Sequence, residues 1–421
     1  MQPSTLTLIF ALFVVASVLT KLWLSARQIR HVALHHKEVP APFAADVTLL
    51  SHQRAAFYTI DKLRFETLST AVSTAVLLGW TLLGGLDALN VRVRDLLMPH
   101  WGALPYQLAL LGCFMLIGGL IELPLSAWFT FRIEQRHGFN KMSWRMWVGD
   151  QIKEALVGVV LGLPIAALIL WLMGQAGPQW WLWAWGAWVS FSLLLMVIFP
   201  TLIAPLFNKF EPLQDAELEQ QVGGLMQRCG FKAKGFFVMD GSRRSAHANA
   251  YFTGLGSAKR VVFFDTLLAK LTHGEILAVL AHELGHFKHK HVLKRMILMF
   301  ALSLAGFALL GWLSNQVAFY VALGVRPNLS APNDALALLL FMLATPPFLY
   351  FVGPLMAQLS RRDEFQADAY ACRQASPQQL SSALLKLYED NASTLTPDPL
   401  YARFYYSHPP ASERLAALAR A

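Results

Sequence analysis

Seven apolar stretches of roughly twenty residues punctuate the chain: Thr5 to Leu24, Leu68 to Leu86, Tyr106 to Phe131, Ala155 to Met173, Trp180 to Ile203, Met296 to Tyr320 and Ala335 to Phe351. Each is long enough to cross the hydrocarbon core of a bilayer, which takes roughly 20 helical residues. The pattern predicts a mainly α, polytopic membrane protein with seven transmembrane helices. Between the fifth and sixth stretches the periodicity changes. Asp215 to Cys229 repeats its apolar positions as an amphipathic helix does, whereas Gly235 to Asp240, Ala246 to Gly254 and Lys259 to Asp265 read as short strands. A small α+β insertion is therefore expected there, ahead of a helix over Glu275 to His286.

Basic residues gather in alternate connections: Arg27 to Arg64, Arg132 to Lys153, Lys209 to Arg295, and from Arg361 onward. Positive residues mark the cytoplasmic side of a membrane protein. The N-terminus should lie outside, with the insertion and the C-terminus inside. Composition agrees, being 55% hydrophobic and only 14% charged, against roughly 25% charged in soluble domains. The net charge of +9 is accounted for by this asymmetry. No basic stripe with interleaved aromatics occurs, so nucleic acid is excluded as a partner. Three widely spaced cysteines, Cys113, Cys229 and Cys372, support neither a disulfide framework nor a thiolate cluster.

The chemistry is concentrated in His282-Glu283-Leu284-Gly285-His286. Two histidines four apart share one helical face and can hold Zn²⁺, with Glu283 beside them as general base. A metzincin would add glycine and a third histidine at positions occupied here by His289 and Val292, so that class is excluded. The third ligand is expected from Glu364, in an acidic helical segment after the last apolar stretch. Asp368 lies on the same face four residues on and is placed to orient a ligand histidine. His408 is a candidate donor to an oxyanion. Asn249 is a candidate substrate clamp beside a strand that can bind peptide backbone by strand addition. His247 reads as a polar loop residue, Arg361 and Arg362 as markers of the membrane boundary, and His289 and His291 as headgroup-side residues.

These segments together resemble the type I CAAX prenyl endopeptidases, membrane-integral Glu-type zinc metallopeptidases. The pattern is carried by Phe131 to Lys141, Ile203 to Phe210, Asn249 to Phe252, His282 to His286, Ser360 to Asp368 and Ser407 to Pro410. The resemblance implies seven helices forming a chambered barrel, closed on the cytoplasmic side by the zinc-peptidase domain with the metal facing inward. It also implies peptide or protein substrates, prenylated CAAX tails among them, cut near their C-termini. Compact loops and an Ala- and Trp-rich composition point to a bacterial inner membrane.

The expected division of labour is residues 1–203 for helices one to five, 204–295 for the insertion and motif helix, 296–351 for helices six and seven, and 352–421 for the part supplying the third ligand. Two other functions stay open at this point. One is a broad quality-control protease for membrane proteins. The other is a transporter or channel with a structural zinc site, served by Glu122, Glu134 and Glu154. A site-2 type intramembrane protease is disfavoured, because the motif sits in the charged stretch from His273 to Arg295.

Overall fold

The computed structural model describes residues 2–253 and 258–420. Six helices are long and apolar enough to cross a membrane: Pro3–His35, Ala103–Glu134, Trp144–Gln175, Gly177–Phe207, His291–Leu313 and Asp334–Gln374. The bent pair Leu49–Trp80 and Gly85–Trp101, with 52° at the break between them, supplies one more, so that in chain order it is the second of seven spans and the helix from Asp334 the seventh. Six of the seven expected stretches lie within these elements, and the sixth, Met296 to Tyr320, begins in one and runs past its end.

The second expected stretch, Leu68 to Leu86, runs across that break because the residues on both sides are apolar. Hydropathy does not register the turn; glycine does. Gly84 has φ +75°, a Cβ on Gly85 would lie 2.5 Å from the Gly79 carbonyl oxygen, and one on Gly324 would lie 2.3 Å from that of Thr81. Only glycine permits both the left-handed backbone and so close an approach. The sixth stretch also ends earlier than expected. Its helix stops at Leu313, and Val317–Ala322 forms a separate short helix.

Each span packs on the next, and the seventh returns to the first, so the helices close into a ring. The outward faces are apolar and exposed, as with Leu116 at 64% and Val160 at 67%. In a soluble protein such a surface would drive association, whereas here it faces lipid. One end of the ring is filled by buried Tyr106, Leu110, Leu170, Leu336 and Leu340. Polar groups there pair among themselves, with Asn328 Nδ2 donating to Tyr106 Oη at 3.0 Å and Asn90 Nδ2 donating to Asn328 Oδ1 at 3.0 Å. Unpaired polar groups would be costly at such depth.

The other end carries the insertion. Its four strands, β1 (Phe210–Pro212), β2 (Lys232–Met239), β3 (Ala250–Thr253) and β4 (Ala258–Phe264), lie in the order β1-β2-β4-β3. β2 and β4 are parallel, while β1 and β3 pair antiparallel at the two edges. The expected strand over Ala246 to Gly254 is shorter, and Gly254 lies outside the described residues. Buried Val261 and Phe263 of the sheet share a core with Leu218 and Leu225 of the amphipathic helix Ala216–Arg228, and with Ile276, Leu280 and Leu284 of the motif helix His273–Lys288.

The motif helix begins with a capping box, Thr272 with Glu275, worth roughly 1 kcal/mol to a helix start. Glu275 also anchors it laterally, accepting from Ser382 Oγ at 2.6 Å and Lys386 Nζ at 2.8 Å. Burial alone would raise the Glu275 carboxyl, but the bonds from Lys386, Ser382 and Thr272 outweigh it and hold its pKa down to about 2. The ionised form is thus favoured in the folded state. Its stabilisation is complete above the ordinary glutamate range and is lost as pH falls from about 4.5 toward 2. Thermal melts in detergent at pH 5 and pH 3 should show wild type losing more stability on acidification than Glu275→Gln. Equal losses would mean the carboxylate does not anchor the helix.

Candidate metal centre

Two helices build the centre. The motif helix presents His282 and His286 on one face with their Nε2 atoms 3.2 Å apart. The helix Gly353–Gln374, which follows the seventh span through one short turn at Tyr350–Val352, brings Glu364 against both. Glu364 Oε2 lies 3.4 Å from His282 Nε2, and Oε1 lies 3.4 Å from His286 Nε2. The close approach depends on Gly285, where a Cβ would stand 3.0 Å from Ala367 Cα and 3.1 Å from the Ala367 carbonyl oxygen.

One donor atom from each of these three residues lies within 4.8 Å of the others. Glu364 Oε2 is buried and has no hydrogen-bond partner among the described residues. Two imidazole nitrogens facing each other across 3.2 Å, with an orphaned carboxylate oxygen beside them, are satisfied together by a cation seated between. Two histidines and a glutamate are the donor set of a catalytic zinc site that keeps a position open. The residues fit the ion.

Behind the donors stands a buried charge network. His282 Nδ1 lies 2.8 Å from Asp368 Oδ1, and Asp368 accepts from Arg414 Nε at 2.9 Å and Arg414 Nη2 at 2.5 Å. Arg414 Nη1 is 3.7 Å from Glu364 Oε2. Asp368 can only accept from His282, so it keeps the proton on Nδ1 and leaves the Nε2 lone pair toward the centre. Burial disfavours a charged imidazole at His282, but the Asp368 and Glu364 carboxylates outweigh it and lift its pKa to about 9. The pocket favours positive charge.

Glu283 is half-buried next to the two histidines. Among the described residues no protein group bonds its carboxylate, which leaves both oxygens for water and substrate. His408 approaches from the C-terminal segment, with Nε2 3.4 Å from Glu364 Oε1 and Nδ1 3.0 Å from Ser407 Oγ. Its side chain is 62% exposed. Partial burial, with Arg414 and the two histidines nearby and Glu364 opposing them in part, lowers its pKa. It lines a cavity of about 370 Å³ together with Lys62, Tyr388, Tyr401 and Tyr406. The size falls within the range of roughly 300–1,000 Å³ that ligand sites occupy.

Asn249 is not part of this cluster. It is exposed at the head of edge strand β3, its own Oδ1 accepting from the Ala250 amide at 2.8 Å. His247 lies in a loop, as expected, where its ring stacks on Phe139 at 4.3 Å between centroids and its Nδ1 lies 3.1 Å from Asn391 Oδ1. Glu134, a candidate for a transport pathway, instead ties the third span to the insertion, bonding Tyr58 and lying 3.5 Å from His247 Nε2. Arg361 pairs with Glu413, so it braces the segment that delivers Arg414.

Sequence reasoning missed two residues. Arg414 is 5% exposed, and its only signal was a lone arginine among small apolar residues just past Ser407 to Pro410. His291, assigned to the headgroup region, is 2% exposed and packs against His286 from the start of the sixth span.

Residues 28–209 match the family described as CAAX prenyl protease N-terminal, five membrane helices, and residues 212–421 match peptidase family M48. The chain is 34% identical to a CAAX prenyl protease 1 homolog of Arabidopsis thaliana over 96% of both chains. It is 37% identical to CAAX prenyl protease 1 of Saccharomyces cerevisiae over 74% of this chain and 72% of that one. Its fold superposes on the crystal structure of S. mikatae Ste24p with a TM-score of 0.90 at 31% identity, covering 98% of each chain.

Proposed function

This chain belongs to the CAAX prenyl protease branch of peptidase family M48, integral membrane zinc metallopeptidases, and we propose that His282, His286 and Glu364 hold one zinc ion for cleavage near the C-terminus of prenylated, CAAX-type substrates. The observation that carries this reading is the convergence of two Nε2 atoms and one orphaned, buried carboxylate oxygen. When bound, zinc lowers the pKa of a water molecule toward neutrality and polarises the scissile carbonyl.

The chain's own groups do the rest. Glu283 removes a proton from the attacking water and returns it to the leaving amine. His408, with Ser407 Oγ–H donating to Nδ1, keeps its proton on Nε2 and offers it as a hydrogen bond to the oxyanion that develops at the scissile carbonyl. Asp368 and Arg414 hold His282 in the required tautomer and orientation. The exposed edge of β3, led by Asn249, is suited to bind substrate backbone as an added strand, and the cavity beside His408 is suited to the residues on the far side of the cut. Residues 1–203 and 296–351 form the membrane wall, 204–295 carry the motif helix, and 352–421 supply Glu364 and His408. The distribution of basic residues supports a cytoplasmic catalytic end and an outside N-terminus.

The test is cleavage of a fluorogenic farnesylated CAAX peptide by detergent-purified protein, alongside the same peptide without the lipid. Cleavage of the lipidated peptide alone, lost with a chelator and restored by zinc, is expected. Equal cleavage of both would replace this reading with general quality control of membrane proteins, and zinc-loaded protein that cleaves neither would point to a structural metal in a transporter.

A further inference from the structure

We propose that His291 is the positioning residue for His286, doing with a neutral imidazole what Asp368 does for His282 with a charge; this rests on the zinc reading of the site. The two rings meet through their Nδ1 atoms at 3.1 Å. One of the two nitrogens must donate and the other accept, and the far side of His291 decides which. His291 Nε2 lies 3.0 Å from Gln366 Oε1 and 3.5 Å from Asp363 Oδ1. The Gln366 amide alone would leave the choice open, since its oxygen and nitrogen are interchangeable in shape. Asp363 carries only acceptors. It therefore requires the proton on His291 Nε2, which leaves Nδ1 as an acceptor. His286 must then donate from Nδ1, and its Nε2 lone pair is turned toward His282 and Glu364. The opposite assignment would put a proton on His286 Nε2, which would abolish its ability to ligate a metal.

The backbone is built to deliver this contact. Lys290 holds φ 58°, ψ 31° between the motif helix and the sixth span, a left-handed conformation that is strained for a residue with a side chain and persists only where its surroundings impose it. The sharp turn folds His291 back onto His286 only five residues after it. His291 is then the first residue of the sixth span, at a helix N-terminus, where the positive end of the dipole favours a neutral ring. Asp363 is itself paired with Arg295 at 3.7 Å, so the acceptor that sets the tautomer is held in place from the same span.

The test uses the full-length protein with two replacements of His291. His291→Phe keeps a ring but removes the acceptor. His291→Asn retains one, because its Oδ1 occupies the place of Nδ1. Zinc affinity is read by competition with a chromophoric chelator, and the site geometry by the visible spectrum after cobalt substitution. The Phe variant should bind zinc roughly 10–100-fold more weakly, the loss usual when an outer hydrogen bond to a ligand histidine is removed, and the Asn variant should stay near wild type. Melting of the metal-free forms should be the same for wild type and Phe, separating positioning from packing. Should the Phe protein fail to fold, Asp363→Leu removes the acceptor that sets the tautomer without touching the contact and should weaken zinc in the same direction by less. Wild-type affinity in both Phe and Leu variants, or an Asn variant as weak as Phe, overturns the proposal. A wild-type protein that binds no zinc overturns the metal reading and this inference together.

Discussion

Glu283→Gln should retain zinc at wild-type stoichiometry while its kcat for a CAAX peptide falls by about 10²- to 10⁴-fold, the contribution usual for a positioned general base. The carboxylate has no protein partner among the described residues, so replacing it with an amide disturbs no structural bond. The amide fills the same space. It can orient water but cannot take its proton, so the step that makes a nucleophile loses its base. Because ground-state contacts are kept, KM should change little, which assigns the loss to the transition state. Metal content by elemental analysis and single-turnover cleavage check both halves of the statement. A Glu283→Gln protein with wild-type kcat would remove Glu283 from the mechanism and with it the water-activation scheme.

Glu364→Gln should lose both metal and activity. Three features make Glu364 harder to replace than its neighbours. Its Oε2 is buried without a partner among the described residues, both histidine Nε2 atoms lie 3.4 Å from its oxygens, and Arg414 approaches to 3.7 Å. A carboxamide removes the negative charge and replaces one donor oxygen with an NH2 group, which has no lone pair to give a metal. The loss of zinc affinity should exceed the roughly 10–100-fold seen when an outer partner is removed, and a large excess of zinc should restore only part of the activity. Stoichiometric zinc in Glu364→Gln, measured after dialysis against a weak chelator, would show that the third ligand comes from elsewhere.

The contrast between what was legible in the sequence and what was not has a physical basis. The spans were legible because twenty apolar residues in a row satisfy bilayer thickness without reference to anything distant. His282 and His286 were legible because a spacing of four is a local property of a helix. Glu364 and Asp368 required only the further expectation of a helix after the last apolar stretch. The bend at Gly84 and Gly85 was hidden because apolar residues flank it, and its partner, Gly324, lies far along the chain. Arg414 was hidden because it reaches His282 across 132 positions, and no pattern near it announces burial. His291 was misread because lysines and histidines just outside a membrane span usually do face headgroups. Only the left-handed turn at Lys290 reverses that expectation, and nothing in the identity of a lysine foretells it.

The helix that carries Glu364 is the direct continuation of the seventh span, within one apolar-to-polar element running from Asp334 to Gln374. In order of synthesis the two histidines come first, more than seventy residues ahead of the carboxylate, and the arginine that braces it comes later still. A ribosome-bound chain therefore holds an incomplete donor set until its last hydrophobic segment has entered the bilayer and aligned with the motif helix. The order of the chain thus sets the order of assembly: the donor set proposed for zinc can close only once the last span has been made and laid against the motif helix.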